Sequence, residues 1–483
     1  MGKWQSESYQ EYRKRAMDPI SKAWCSAKAY NSTIWLNSGV TTSCHHPPGH
    51  KINIDEIAVN PKAIHNTEQK KEDRREMLQG RLPDGCEYCI KMEAIGDHIV
   101  SDRVFKTVIY SDEENNEVLE LGPDYDYNLK TLEIAFDSTC NFACSYCNPS
   151  FSTTWGKDIK KNGAYQNLVS DGAGAFQQDG KWTQLFREED NPYIQAFWKW
   201  WYSDLKDSLQ ELRITGGEAL MSDSVWKLFD FFEANVQNDM LFSINTNLGA
   251  KQSLIQRLID KSHHVKNLDI YTSCEATGSQ AEYIRDGLDY NQWKENMERT
   301  ITDGNIRAFH VMMTINSLCL YTITDFMDEM LEMKMKHGKH FPTWSVNVLR
   351  FPSFMSPLAL PEHLKTERHD HLKSWLDSVR DHPMIHEMEI DGVSRLIDYL
   401  DVVKTPHRRT SSLDSQHSDF KSFYEQYDKR RGLDFRATFP KILVDWYDTL
   451  EPEIKHVGNL AHGDSTKGFH DENPGQNENG DET

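Results

Sequence analysis

The chain has 483 residues, 38% of them hydrophobic and 11% aromatic, enough for two or three packed units and too many for one small core. Lys and Arg number 54 against 75 Asp and Glu, a formal charge of −21; such an acidic surface excludes general binding to phosphate backbones, a local basic groove aside. No apolar run reaches the roughly 20 residues that a membrane span needs. The N-terminal MGKWQSESYQEYRKRAM has no apolar stretch of the signal-peptide kind. Its Gly2 and Ser6 brush the myristoylation pattern, a six-residue match read as chance. The expectation is a cytoplasmic protein, where clustered cysteines are metal ligands or catalytic groups rather than disulfides. Of nine cysteines, seven fall into two groups: Cys25, Cys44, Cys86 and Cys89, then Cys140, Cys144 and Cys147. Cys274 and Cys319 stand alone.

In chain order, residues 23–50 (AWCSAKAYNSTIWLNSGVTTSCHHPPGH) predict a hairpin turning at 37–39, with Cys25 and Cys44 near its ends. Residues 75–96 predict a helix followed by Cys86-x2-Cys89. Four cysteines complete one tetrahedral zinc site or one fully ligated cubane, and spacing does not choose between them. His45 and His46 could replace a ligand, but with four cysteines at hand they are read as neighbours of the site or as exposed. Short apolar runs then predict strands at 130–139, 209–215, 240–247, 267–273, 308–316 and 344–351. Helical patterns lie between several of them. At 224–236, Val225, Leu228, Phe229, Phe232 and Val236 share one face. The long first crossover holds a Gly/Asp-rich piece (170–181) and an aromatic piece, FWKWWYSDL (197–205), read as a helix packed on the sheet. Alternating strands and helices predict an α/β fold with a parallel sheet, either a partial barrel or an open doubly wound sheet. Beyond 352 the pattern turns helical and charged. Residues 456–483 are too poor in apolar groups to offset ordering entropy, and disorder is expected there.

Cys140-x3-Cys144-x2-Cys147 follows the first strand of this series directly, on the face of an α/β sheet where ligands bind. A [4Fe–4S] cubane takes four cysteines; three leave one iron open to a substrate or cofactor. A zinc ion with a distant fourth ligand, or unligated core cysteines, would fit the same spacing.

The loop, with Tyr146 just before its third cysteine, resembles the signature of the radical S-adenosylmethionine (radical SAM) enzymes. RITGGEAL (213–220) places Gly216, Gly217 and Glu218 at the end of the next strand, similar to the family's GGE motif, which holds the methionine amino group. NTNLG, with Asn245 and Asn247, resembles the family's turn beside the ribose. TSCEATGSQAEYIRDG resembles the stretch in which a strand-end Ser or Glu meets the ribose and an Arg meets the methionine carboxylate; the matching positions are Ser273, Glu275 and Arg285. As a bare helix charge, Arg285 would simply sit at the surface. The resemblance implies a partial (β/α)6 TIM barrel, agreeing with the six strands, and a cluster whose open iron chelates S-adenosylmethionine. An electron then cleaves the cofactor to methionine and a 5′-deoxyadenosyl radical, which abstracts hydrogen from a substrate. The electron would come from an external donor such as flavodoxin or ferredoxin.

The N-terminal quartet resembles the auxiliary-cluster module called SPASM or twitch, although that module usually follows the barrel. The resemblance implies a second [4Fe–4S] cluster; structural zinc is the alternative. Residues 420–440 look like the ending of the twitch-type group, with Asp428, Arg430 and Arg431 on a helix that either docks or is a solvated charged face. Cys274, beside Glu275, and Cys319 are candidates to donate hydrogen to a substrate radical, as a cysteine does in some epimerases of the family; buried unligated cysteine is the plainer reading. The expected organisation is an auxiliary-cluster module at 1–128, the partial barrel at 129–352, a helical region at 353–455 and the tail at 456–483. A peptide or protein side chain is the expected substrate. A small-molecule dehydrogenase or epimerase is the second reading, and a non-enzymatic zinc scaffold is the reading from a different class.

Overall fold

A computed structural model describes residues 7–96, 99–177, 188–402 and 411–452. Gly2, Ser6, the end of the 170–181 stretch and the 456–483 tail lie outside the described residues. The fold is mixed α/β, with nine strands in a mostly parallel sheet and many helices. The strands are β1 (Asn31–Trp35), β2 (Val40–Thr42), β3 (His50–Lys51), β4 (Thr131–Ala135), β5 (Glu211–Thr215), β6 (Leu241–Thr246), β7 (Leu268–Ser273), β8 (Ala308–Ile315) and β9 (Thr343–Val348). All six strands expected after residue 129 form, and β1 and β2 make the expected hairpin. Gly39 stands in its turn at φ +62°, and a Cβ there would lie 2.2 Å from the Tyr193 ring. No described helix is long and apolar enough to cross a membrane.

The chain divides into two compact units. The first takes the described parts of Met1–Asp137 and Leu185–Arg213. In it, β1 pairs antiparallel with β2 and parallel with β4, Asn31 opposite Thr131 through Trp35 opposite Ala135. The aromatic stretch forms the helix Pro192–Trp200, opened by Pro192 and by the Asn191 side chain, which accepts from the Tyr193 and Ile194 amides. As expected, the helix packs on the sheet: Phe197 meets Phe136 edge-on at 5.1 Å.

The second unit takes the described parts of Ser138–Gln184 and Ile214–Ser465. Here β6, β7, β8 and β9 pair in parallel, in chain order. The helices Gln252–Ser262, Gly278–Ile284, Tyr290–Asp303 and Ile323–His337 connect them. The period-2 alternation is plain. Phe242, Ile244, Ile270, Phe309, Val311, Met313 and Ile315 are buried, and Phe242 packs on Phe229 and Phe232 of the helix Asp223–Ala234. Asn245, Tyr271, Ser273, His310, Met312 and Thr314 take the other face and are half-buried. The helices Glu362–Val379, Glu387–Leu400, Leu413–Arg431 and Lys441–Thr449 follow β9.

Candidate functional site

The loop carrying Cys140, Cys144 and Cys147 lies in the second unit, and its backbone is tied on every side. The Ala143 amide donates to the Asp286 carbonyl (2.8 Å) and the Ser145 amide to that of Ile284 (2.7 Å). The Phe142 carbonyl accepts from Ser152 Oγ (2.7 Å), the Cys140 carbonyl from Thr154 Oγ1 (2.6 Å) and the Cys144 carbonyl from Trp155 Nε1 (2.9 Å). The thiols make long contacts: the Phe142 amide at 3.4 Å and Asn247 Nδ2 at 3.9 Å from Cys140 Sγ, Arg285 Nη1 at 4.0 Å from Cys144 Sγ, and the Asn148 carbonyl at 3.7 Å from Cys147 Sγ. Burial pushes all three thiols up, Cys144 to about 12, and the three repel one another's charge.

The Gly216-Gly217-Glu218 turn meets the base of this loop. Gly216 has φ +118°. A Cβ on Gly217 would sit 2.2 Å from the Thr139 carbonyl oxygen, and the next amide, of Glu218, donates to that same oxygen at 2.6 Å. Gly217→Ala is therefore expected to push the cysteine loop away at a cost of about 1–3 kcal/mol, read as a lowered denaturation midpoint. The Glu218 carboxylate is 1% exposed and already engaged. It accepts from the Leu220 amide (3.1 Å), Thr246 Oγ1 (2.6 Å) and the Asn247 amide (2.6 Å), locking the turn after β5 to the end of β6. Burial raises its pKa against these three hydrogen bonds.

Arg285 is not a surface charge: it is 4% exposed. Its Nε and Nη2 donate to Glu275 Oε2 at 3.1 and 2.5 Å, and Tyr146 Oη donates to the same carboxylate at 3.2 Å. Asn245 lies on β6 with its Oδ1 buried and unpartnered among the described residues. Ser273 ends β7 on the same half-buried face. The structure thus brings Tyr146, Glu275, Arg285 and Asn247 to the cysteine loop. Cys274 and Cys319 are both fully buried, their thiols directed to the Ala276 (3.5 Å) and Asn316 (3.2 Å) carbonyls.

The helix Leu413–Arg431 docks against the same loop, so Asp428, Arg430 and Arg431 are no solvated face. Tyr427 Oη donates to the Ala143 and Tyr283 carbonyls (3.1 and 3.2 Å). Asp428 accepts from Tyr283 Oη (2.5 Å), and Arg430 donates to the Gly163 carbonyl (2.8 Å). Arg431 pairs with Asp286 (2.9 Å) and lies over the Trp155 and Tyr427 rings. The sequence offered no sign of Trp155, Ser152 or Tyr427 as supports of the loop, because hydrogen bonds to a loop backbone leave no spacing pattern.

In the first unit, Cys25, Cys44, Cys86 and Cys89 line one cavity of about 30 Å³. The hairpin brings Cys25 and Cys44 there, while Cys86 caps the helix Glu87–Ile95 that carries Cys89. Lys28, His46, Asp102, Arg103 and Lys106 share the lining. Lys28 is 4% exposed, and its Nζ meets Asp73 at 2.5 Å. Burial raises all four thiols, Cys25 and Cys89 to about 11 and Cys86 to about 12. Raised thiol pKa values stabilise the metal-free fold below pH 9, and that stability is lost as pH rises through 11–12, since the unfolded chain ionises first. The metal-free chain is therefore expected to denature at lower urea at pH 10.5 than at pH 8; an unchanged midpoint would contradict the burial of these thiols.

No three cysteine thiols, in either group, come within 4.8 Å of one another among the described residues; the one group of potential ligands that compact is His45, His46 and Asp102. Compared with known proteins, the chain matches no family model, no curated protein and no solved structure.

Proposed function

We propose that the chain is a radical SAM enzyme acting on a peptide or protein side chain. A [4Fe–4S] cluster with S-adenosylmethionine at its open iron would supply a carbon radical able to take hydrogen from an unactivated C–H bond. Cys140, Cys144 and Cys147 would hold that cluster. The observation that carries this reading is a loop whose backbone is held by hydrogen bonds from the surrounding protein while its three buried thiols make long contacts. The donor set fits the group. Three thiols suit a cubane with one open iron. The guanidinium of Arg285, fixed by Glu275 and turned toward Cys144, suits a carboxylate. The unpartnered Asn245 Oδ1 suits a hydroxyl. Gly216 and Gly217 allow close backbone approach, and Glu218 fixes that turn rather than offering a vacant carboxylate.

The parallel run β6 to β9 keeps chain order without the reversal of a doubly wound sheet. This favours the winding of a partial barrel, with the half-buried polar face turned inward. The N-terminal quartet would hold an auxiliary [4Fe–4S] cluster. One zinc ion with Zn–S near 2.3 Å needs thiolates about 3.8 Å apart. No three of the described thiols come within 4.8 Å of one another, as suits ligands bonded each to a different iron. We place the enzyme in the cytoplasm, reduced by a flavodoxin or ferredoxin. The anaerobically purified chain should be brown, with absorption near ~400 nm and about eight irons. A colourless protein holding zinc alone would replace this reading with that of a zinc-stapled scaffold.

A further inference from the structure

A second donor set meets the quartet cavity, whose lining includes two of its three members, His46 and Asp102. His45 Nε2 and His46 Nε2 both reach Asp102 Oδ2, at 3.1 and 2.5 Å, and the three ligand atoms lie within 4.8 Å of one another. The parts come from two segments. His45 and His46 follow the β1–β2 hairpin, and Asp102 opens the helix Asp102–Val108. His46 is held in place: its side chain is 16% exposed, and its ring stacks on Tyr88 at 4.2 Å. The His45 ring is tilted beside it at 4.6 Å. The His45 side chain is 68% exposed, so this side of the group opens to solvent.

An ordinary ion pair needs one imidazole per carboxylate. Here two adjacent imidazoles turn the same nitrogen to one carboxylate oxygen. Two imidazole nitrogens and a carboxylate oxygen form a donor set for a divalent first-row transition ion. Bonds of about 2.0–2.2 Å to such an ion require donors about 3.0–3.4 Å apart. The His45–Asp102 separation already lies in that range, and the His46–Asp102 one needs only a small opening.

We propose that His45, His46 and Asp102 form a solvent-open site for one divalent transition ion, with a ligand set distinct from the four thiols. Three protein ligands leave at least one coordination position to water or a small anion.

The test uses the full chain, first reconstituted with iron and sulfide and desalted, then titrated with Zn²⁺ by calorimetry and with Co²⁺ by visible absorption. The wild-type chain should take up one Zn²⁺ more than His45→Ala or Asp102→Asn, or bind it at least about tenfold more tightly. Its Co²⁺ form should show weak visible bands without intense thiolate charge transfer. His45 is exposed, so His45→Ala tests the ligand without disturbing the fold. Equal Zn²⁺ uptake by the wild type and both variants would overturn the proposal. So would Co²⁺ bound only with thiolate charge transfer, which would put the ion on the cysteines and leave the histidines and Asp102 as an ion pair.

Discussion

Replacing Cys140, Cys144 and Cys147 together with Ala is expected to remove about four irons per chain and to abolish S-adenosylmethionine cleavage under dithionite. The loss should be complete and local. The loop backbone is held by Ser152, Thr154, Trp155, Asp286 and Tyr427 through contacts that need no thiol. Far-ultraviolet circular dichroism should therefore be unchanged. Four irons retained in the triple variant would show that these thiols are not cluster ligands.

The second large effect is expected at Glu218. Glu218→Ala leaves the Leu220 amide, the Asn247 amide and Thr246 Oγ1 facing a space with no acceptor. Each buried donor stranded in this way costs about 1–3 kcal/mol, so a loss of about 3–5 kcal/mol is expected. Glu218→Gln keeps one acceptor oxygen and should lose less. Urea denaturation of the metal-free chain separates this effect from cofactor binding. A stability equal to that of the wild type, with weakened S-adenosylmethionine affinity, would instead assign the carboxylate to the cofactor.

The strands after residue 129 were legible as short apolar runs, with the period-2 alternation clearest in Phe309, Val311, Met313 and Ile315 of β8. The β1–β2 hairpin was legible from its turn. Its parallel pairing with β4 was not, since nothing local marks a partner that lies some hundred residues on. The same limit applies to the helix Pro192–Trp200: its aromatic face announced burial, but the N-terminal unit it joins could not be read from it. The cysteine loop was legible by spacing, and the turn after β5 by its glycines. The role of Glu218 was not, because a carboxylate that caps neighbouring amides looks in sequence like one awaiting a ligand. Arg285 could have been a surface charge, and only the fold closes it onto Glu275. His46 was legible as a neighbour of the quartet from its place after Cys44, but Lys28 and Asp102 gave no signal as lining of that cavity, since hydrophilic residues near a hairpin and a short helix are ordinarily exposed.

The central claim is that the Cys140 loop makes the chain a generator of carbon radicals. The most direct measurement is chromatographic: the anaerobically reconstituted chain is mixed with dithionite and S-adenosylmethionine, and 5′-deoxyadenosine is quantified against the Cys140, Cys144, Cys147 triple variant. The account predicts 5′-deoxyadenosine from the wild-type chain and none from the variant. Equal amounts from the two, or none from a wild-type chain loaded with iron, would contradict it.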